Sequence, residues 1–277
     1  MRVRVKFRKY GPIRFIGHLD VMRFFQKAIR RAEIDIAYTS GFSPHQIMSF
    51  AAPLGVGLES NGEYMDIELH STLGSKDLVD RLGLASVPGI EITQARLLPK
   101  EAGNAMASVA AAEYDVRIKK ERISSFSGAQ ALLSDPSVIE EFMAKEQILV
   151  TKKTKRGTLD IDLKPGIYSL SLGTCHTFDG TEEPAVHMLV DASSSGNLKP
   201  SLIIGALLHI PLEEQEELAG CLQIIRQDTY TFAGEGENKH LVPFSEIGTD
   251  ILGPLSDEML KNAEEESTQN STIGDTQ

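Results

Sequence analysis

The chain has 277 residues, 41% hydrophobic and 24% charged, enough for one large domain or two ordinary ones around a true apolar core. Its net charge of −11 argues against a nucleic-acid binder that uses its whole surface. Two cysteines, Cys175 and Cys221, far apart in sequence, exclude a disulfide framework, a cysteine-held iron–sulfur cluster and a cysteine-based zinc site within the chain.

No cofactor and no metal are therefore expected here. No stretch approaches the roughly 18–20 apolar residues that span a bilayer. The opening Met1-Arg2-Val3-Arg4-Val5-Lys6-Phe7 alternates charged and apolar residues, unlike a signal or transit segment. The cytoplasm is the expected location, with no membrane partner. Charge is uneven: residues 1–50 carry a net +7 and the remaining 227 carry −18, the pattern of one local anion-facing surface or of charge balance between two halves.

In chain order, Arg2 to Tyr10 reads as a strand with Val3, Val5 and Phe7 on one face. A turn at Gly11-Pro12 follows, then a helix from Leu19 to Glu33 whose apolar stripe is Leu19, Met22, Phe25, Ile29 and Ala32. Ile34 to Tyr38 leads into a Ser/Gly/Pro loop and an apolar run at Ile47 to Ala52. A strand at Tyr64 to Leu69, a short helix over 76–85 and a strand at Ile90 to Leu97 complete the order β-α-β-β-α-β, the ferredoxin-like signature.

Pro99 to Ala112 reads as a linker. Beyond it come a strand at Tyr114 to Ile118 and a helical stretch from Ile123 to Gln147, broken near Asp135-Pro136. A hairpin is expected from Ile148 to Thr154 and Leu159 to Leu163, turning at Lys155-Arg156-Gly157. Strands at Tyr168 to Leu172 and Val186 to Val190, a helix over Ser201 to His209 and a strand at Leu222 to Phe232 follow. The expected class is α+β, with two tandem ferredoxin-like modules. Residues 1–100 form the first, 113–255 an elaborated second, and 256–277 an acidic flexible tail.

Three basic features stand out. Arg23, Lys27, Arg30 and Arg31 lie at i, i+4, i+7 and i+8 of the first helix, a row that can follow phosphates and is also the pattern of a solvated outer face. Arg4 and Lys6 alternate with core residues on the first strand. If the first and third strands are neighbours, they pair with Asp66 and Glu68. The expected hairpin carries Lys152, Lys153, Lys155 and Arg156, exposed by position.

The densest chemistry lies in two loops, Ile13-Arg14-Phe15-Ile16-Gly17-His18-Leu19-Asp20 and Tyr38-Thr39-Ser40-Gly41-Phe42-Ser43-Pro44-His45. Arg14, His18, Ser40 and His45 are the candidate substrate-binding residues. Either histidine could serve as a general base or hold a phosphate, or could simply cap and bond the local backbone. No nucleophile elbow, P-loop or dinucleotide fingerprint occurs.

These segments, with Arg30-Arg31-Ala32, Ser49-Phe50-Ala51-Ala52-Pro53-Leu54, Gly57-Leu58-Glu59-Ser60 and Gly62-Glu63-Tyr64-Met65-Asp66, resemble the radical-SAM-associated (radical-SAM-linked) bacterial family of unknown function. The match is dense over residues 1–70 and looser through Asp160-Ile161-Asp162-Leu163 and Leu198-Lys199-Pro200-Ser201. The resemblance implies a radical SAM partner protein, and the ribosomal and ribonuclease genes near some members imply RNA. It carries over no catalytic residue. The expected role is an accessory that presents RNA to such a partner. The alternatives are a metal-independent endoribonuclease using His18 or His45, similar in fold to the repeat-processing nucleases of CRISPR systems, and a purely protein-binding adaptor.

Overall fold

The computed structural model describes residues 1–126, 128–132, 134–154, 157–178 and 180–262. Lys155, Arg156 and all of the expected acidic tail beyond 262 lie outside the described residues. The fold is mixed α+β, mostly sheet, and divides into two compact units. The first takes Met1–Val56, Glu63–Met106 and the described residues from Phe244 onward; the second takes Gly57–Gly62 and Ala107–Pro243.

In the first unit, β1 (Arg2–Lys9) leads through a 3-10 turn to α1 (His18–Arg31), β2 (Met48–Phe50) and β3 (Glu59–Glu68), of which Glu63–Glu68 belong to this unit and Glu59–Gly62 to the second. The short β4 (Ser71–Thr72), α2 (Ser75–Leu84) and β5 (Ile90–Leu97) follow. The sheet runs β5-β1-β3-β2, with β1 antiparallel to β5 and β2 antiparallel to β3. Alternation dictates its faces: Val3, Val5 and Phe7 point into the same core as Met65 and Ile67, under Val21, Phe25 and Ile29 of α1 and Leu78 and Leu82 of α2. Phe7 and Phe25 meet edge to face with centroids 4.7 Å apart, and each such buried side chain contributes roughly 1.5–3 kcal/mol.

The opposite face of this sheet is covered rather than open. Arg4 forks onto Asp66, with Nε to Oδ1 at 2.7 Å and an Nη to Oδ2 at 2.9 Å, as neighbouring strands required. The Phe244 ring lies 4.3 Å from that guanidinium and edge-on to Tyr64. From Phe244 the chain is fastened back by Arg96, which donates to the carbonyls of Ser245 and Gly248, and by mutual backbone bonds between Leu97 and Thr249. Lys6 sits 5.5 Å over the Tyr64 ring.

In the second unit, α3 (Ala105–Ser108) gives way to β6 (Ala111–Ile118), α4 (Ala129–Leu132) and α5 (Pro136–Ala144). The break expected at Asp135-Pro136 is a helix start: the Asp135 side chain accepts from the Ser137 amide and Pro136 occupies the first turn, where its missing N–H costs nothing. The hairpin β7 (Leu149–Thr154) and β8 (Gly157–Asp162) stands apart as its own two-stranded sheet.

Then come β9 (Ile167–His176), β10 (Glu182–Asp191), α6 (Pro200–Leu207), α7 (Gln215–Cys221), β11 (Leu222–Ala233) and β12 (His240–Pro243). Here the sheet order is β11-β6-β10-β9, every neighbour antiparallel. Glu59 and Ser60 of β3 run parallel beside Ile225 and Arg226, and β12 pairs with β11. Gly62 is required there, since a Cβ would stand 2.6 Å from the Asp228 Cα. Back in the first unit, β13 (Leu255–Ser256) pairs with β4. Taking the four longer strands of each unit in chain order, each set of four runs fourth, first, third, second.

Candidate functional site

The two loops singled out by sequence are held by separate contacts. Gly17 precedes α1 with extended backbone, and its carbonyl accepts from the Asp20 and Val21 amides. His18 is half-buried, its ring edge-on to Phe50 at 5.1 Å, while Arg14 lies over the Phe15 ring at 4.9 Å. The buried Lys9 anchors this turn through a 2.8 Å bond from Nζ to the Ile16 carbonyl.

His45 closes the second loop: Thr39 Oγ1 is 3.1 Å from both its backbone N and its Nδ1, and Tyr38 bridges Gln46. Ser40 is exposed beside Gly41, whose φ of +115° suits glycine. His45 lies three residues before β2, and His18 packs against Phe50, the last residue of that strand. At the loop's base Gln46 is buried, with neither end of its amide partnered.

On α1 the buried residues Val21, Phe25, Ala28 and Ile29 take one side, and Arg23, Lys27, Arg30 and Arg31 are all exposed on the other. The row spans about 12 Å at 1.5 Å per residue. Arg23 pairs with Asp20 at 3.1 Å, an exposed pair of little net worth. Arg30 reaches the Gln26 carbonyl and Arg31 the Ala85 carbonyl. Phe15, Tyr38 and Phe42 also present exposed rings in this unit.

The second unit carries a polar sheet face that no sequence motif announces. Tyr114, Val116 and Ile118 of β6 point into the core with Val186 and Met188 of β10, which turns Asp115, Arg117 and His187 the other way. His187 and Asp115 are direct cross-strand partners, with Nδ1 2.5 Å from Oδ1. The second carboxylate oxygen accepts from Gln227 Nε2 at 2.6 Å, and Gln227 Oε1 accepts from Asn61 Nδ2 at 2.7 Å.

Two strand residues further on, Arg117 is ion-paired to Glu183, which also takes Lys120 at 3.2 Å. Cys175 is buried on the same face. Burial pushes its thiol above the usual range more strongly than the nearby Arg117 pulls it down, so it stays protonated at neutral pH. The pair Asp115–His187 is 72 positions apart in sequence and is joined only by the register of β6 and β10.

Concave sites occur elsewhere as well. One of about 530 Å³ is lined by Phe142, Thr151, His209 and Gln215, and one of about 540 Å³ by Arg2, Glu68, Lys100 and Asp257. Neither includes Arg14, His18, Ser40 or His45. Among the described residues no group of three or more His, Cys, Asp or Glu is placed to hold a metal ion, and no helix is long and apolar enough to cross a membrane.

No curated protein matches this chain. Residues 2–200 match the model of a family described as uncharacterized proteins conserved in bacteria, DUF2344, and with that match covering well over half its length the chain belongs to this family.

Proposed function

We propose that this protein binds single-stranded RNA with its first unit and presents it, in the cytoplasm, to a partner protein of the radical SAM class. The carrying observation is the exposed cationic row Arg23–Lys27–Arg30–Arg31 on a chain that is otherwise strongly acidic. Exposed rings at Phe15, Tyr38 and Phe42 favour single strands, because unstacked bases find an aromatic face there and a duplex offers none. Arg14, His18, Ser40 and His45 are the candidate contacts to the bound strand.

The accessory role rests on the resemblance to radical-SAM-linked proteins. A radical SAM cluster takes three clustered thiolates, and this chain has two cysteines, both buried, so the cluster belongs to the partner. We read both sets of four strands, with their shared fourth-first-third-second order, as ferredoxin-like modules.

The test is fluorescence anisotropy with an unstructured RNA oligonucleotide across a salt series. Replacing Arg23 and Lys27 by alanine should weaken binding and flatten the salt slope by about 1.4, the value for two lost phosphate contacts on a single strand. An unchanged affinity and slope would remove α1 from the interface.

A further inference from the structure

We propose that His187, oriented by Asp115, is a general base on the second unit that acts on the 2′-hydroxyl of RNA, an inference that rests on the RNA reading above. The orientation is fixed from behind. With Nδ1–H donated to Asp115, the lone pair lies on Nε2, and among the described residues nothing donates to it. The carboxylate cannot swing away, because its other oxygen is held by Gln227, itself held by Asn61. A simple cross-strand ion pair needs no such second tether.

The ring also has a place made for it. Its Nε2 lies over Gly173 of β9, where a Cβ would stand only 2.4 Å away, so any other residue there would displace the imidazole. With 32% of its side-chain surface open, His187 is reachable from solvent while Asp115, at 8%, is not. That is the arrangement of a base with a protected orienting group.

The neighbours narrow the chemistry. Too few ligands surround His187 for a metal among the described residues, and the protonated Cys175 is a poor nucleophile. Arg117, about nine-tenths buried on the same face, spends a terminal nitrogen on Glu183 while its Nε–H has no partner. A free imidazole nitrogen on a sheet face that also carries a guanidinium fits a hydroxyl adjacent to a phosphate, which every RNA linkage supplies.

In the step, Nε2 takes the 2′-hydroxyl proton, the O2′–P bond forms and the P–O5′ bond breaks. The leaving 5′-oxygen takes a proton from water, and the imidazolium returns its own to the resulting hydroxide. The products are a 2′,3′-cyclic phosphate and a 5′-hydroxyl end, with no oxidant, reductant or metal required.

The experiment incubates the full chain with a labelled single-stranded RNA in excess chelator and identifies the ends by mass spectrometry. Cyclic-phosphate ends are expected, falling about 100-fold or more with His187→Gln. His187→Ala should recover part of the activity on adding imidazole, a rescue that loss of folding could not give. RNA that binds by anisotropy but stays intact, or cleavage indifferent to His187→Gln, overturns this inference and leaves the RNA-binding reading standing. RNA that fails to bind at all overturns both.

Discussion

Replacing Asp66 by alanine should lower the stability of the first unit by roughly 3–5 kcal/mol, the cost of stranding one partner of a buried ion pair. Arg4 is 5% exposed and Asp66 3%, and the two are joined by a fork of bonds at 2.7 and 2.9 Å. With the carboxylate gone, the guanidinium stays beneath Phe244 with water unable to replace its partner. The double change Arg4→Met with Asp66→Leu should cost far less, because it removes both charges and keeps the volume. Hydrogen exchange at the β1 amides reports the first unit even if the two units unfold separately. A loss under about 1 kcal/mol for Asp66→Ala would show that the pair is solvated or rearranges, well below the range for buried pairs.

Phe244→Ala should cost about 3–5 kcal/mol, the usual range for removing a fully buried aromatic ring. Phe244 is 0% exposed and touches both Arg4 and Tyr64, so its loss opens the covered face of the sheet at the point where the chain returns to the first unit. The effect should be less than additive with Asp66→Ala, since both changes act through Arg4. Proteolysis offers a second readout: cleavage in residues 244–252 should speed up. Resistance equal to the parent protein would mean that the Arg96 contacts alone hold the segment.

Much of the first unit was legible because its signals are local. Val3, Val5 and Phe7 alternate, and Phe25, Ile29 and Ala32 of the expected helix stripe are buried, whereas Leu19 is 61% exposed and Val21 lies in the core instead. The Arg4–Asp66 pair followed from strand adjacency alone. Where neighbours decide, the reading fell short. β3 begins at Glu59 rather than Tyr64, because polar Ser60 and Asn61 and the flexible Gly62 are held by partners on β11 that no local pattern reveals. The short α7 was missed, and the return of the chain at Phe244 depends on Arg96 and Leu97, some 150 residues earlier. His187 was invisible for the same reason: its partner lies 72 positions away, and only the β6–β10 register joins them.

The most direct test of the proposed role is capture of the tagged full chain from native lysate, with and without ribonuclease, followed by sequencing of the RNA and mass spectrometry of the proteins. The account predicts RNA on the bait, lost on ribonuclease treatment and reduced by Arg23→Ala with Lys27→Ala, together with a protein bearing the three clustered cysteines of a radical SAM enzyme. A bait free of both at low salt would contradict it.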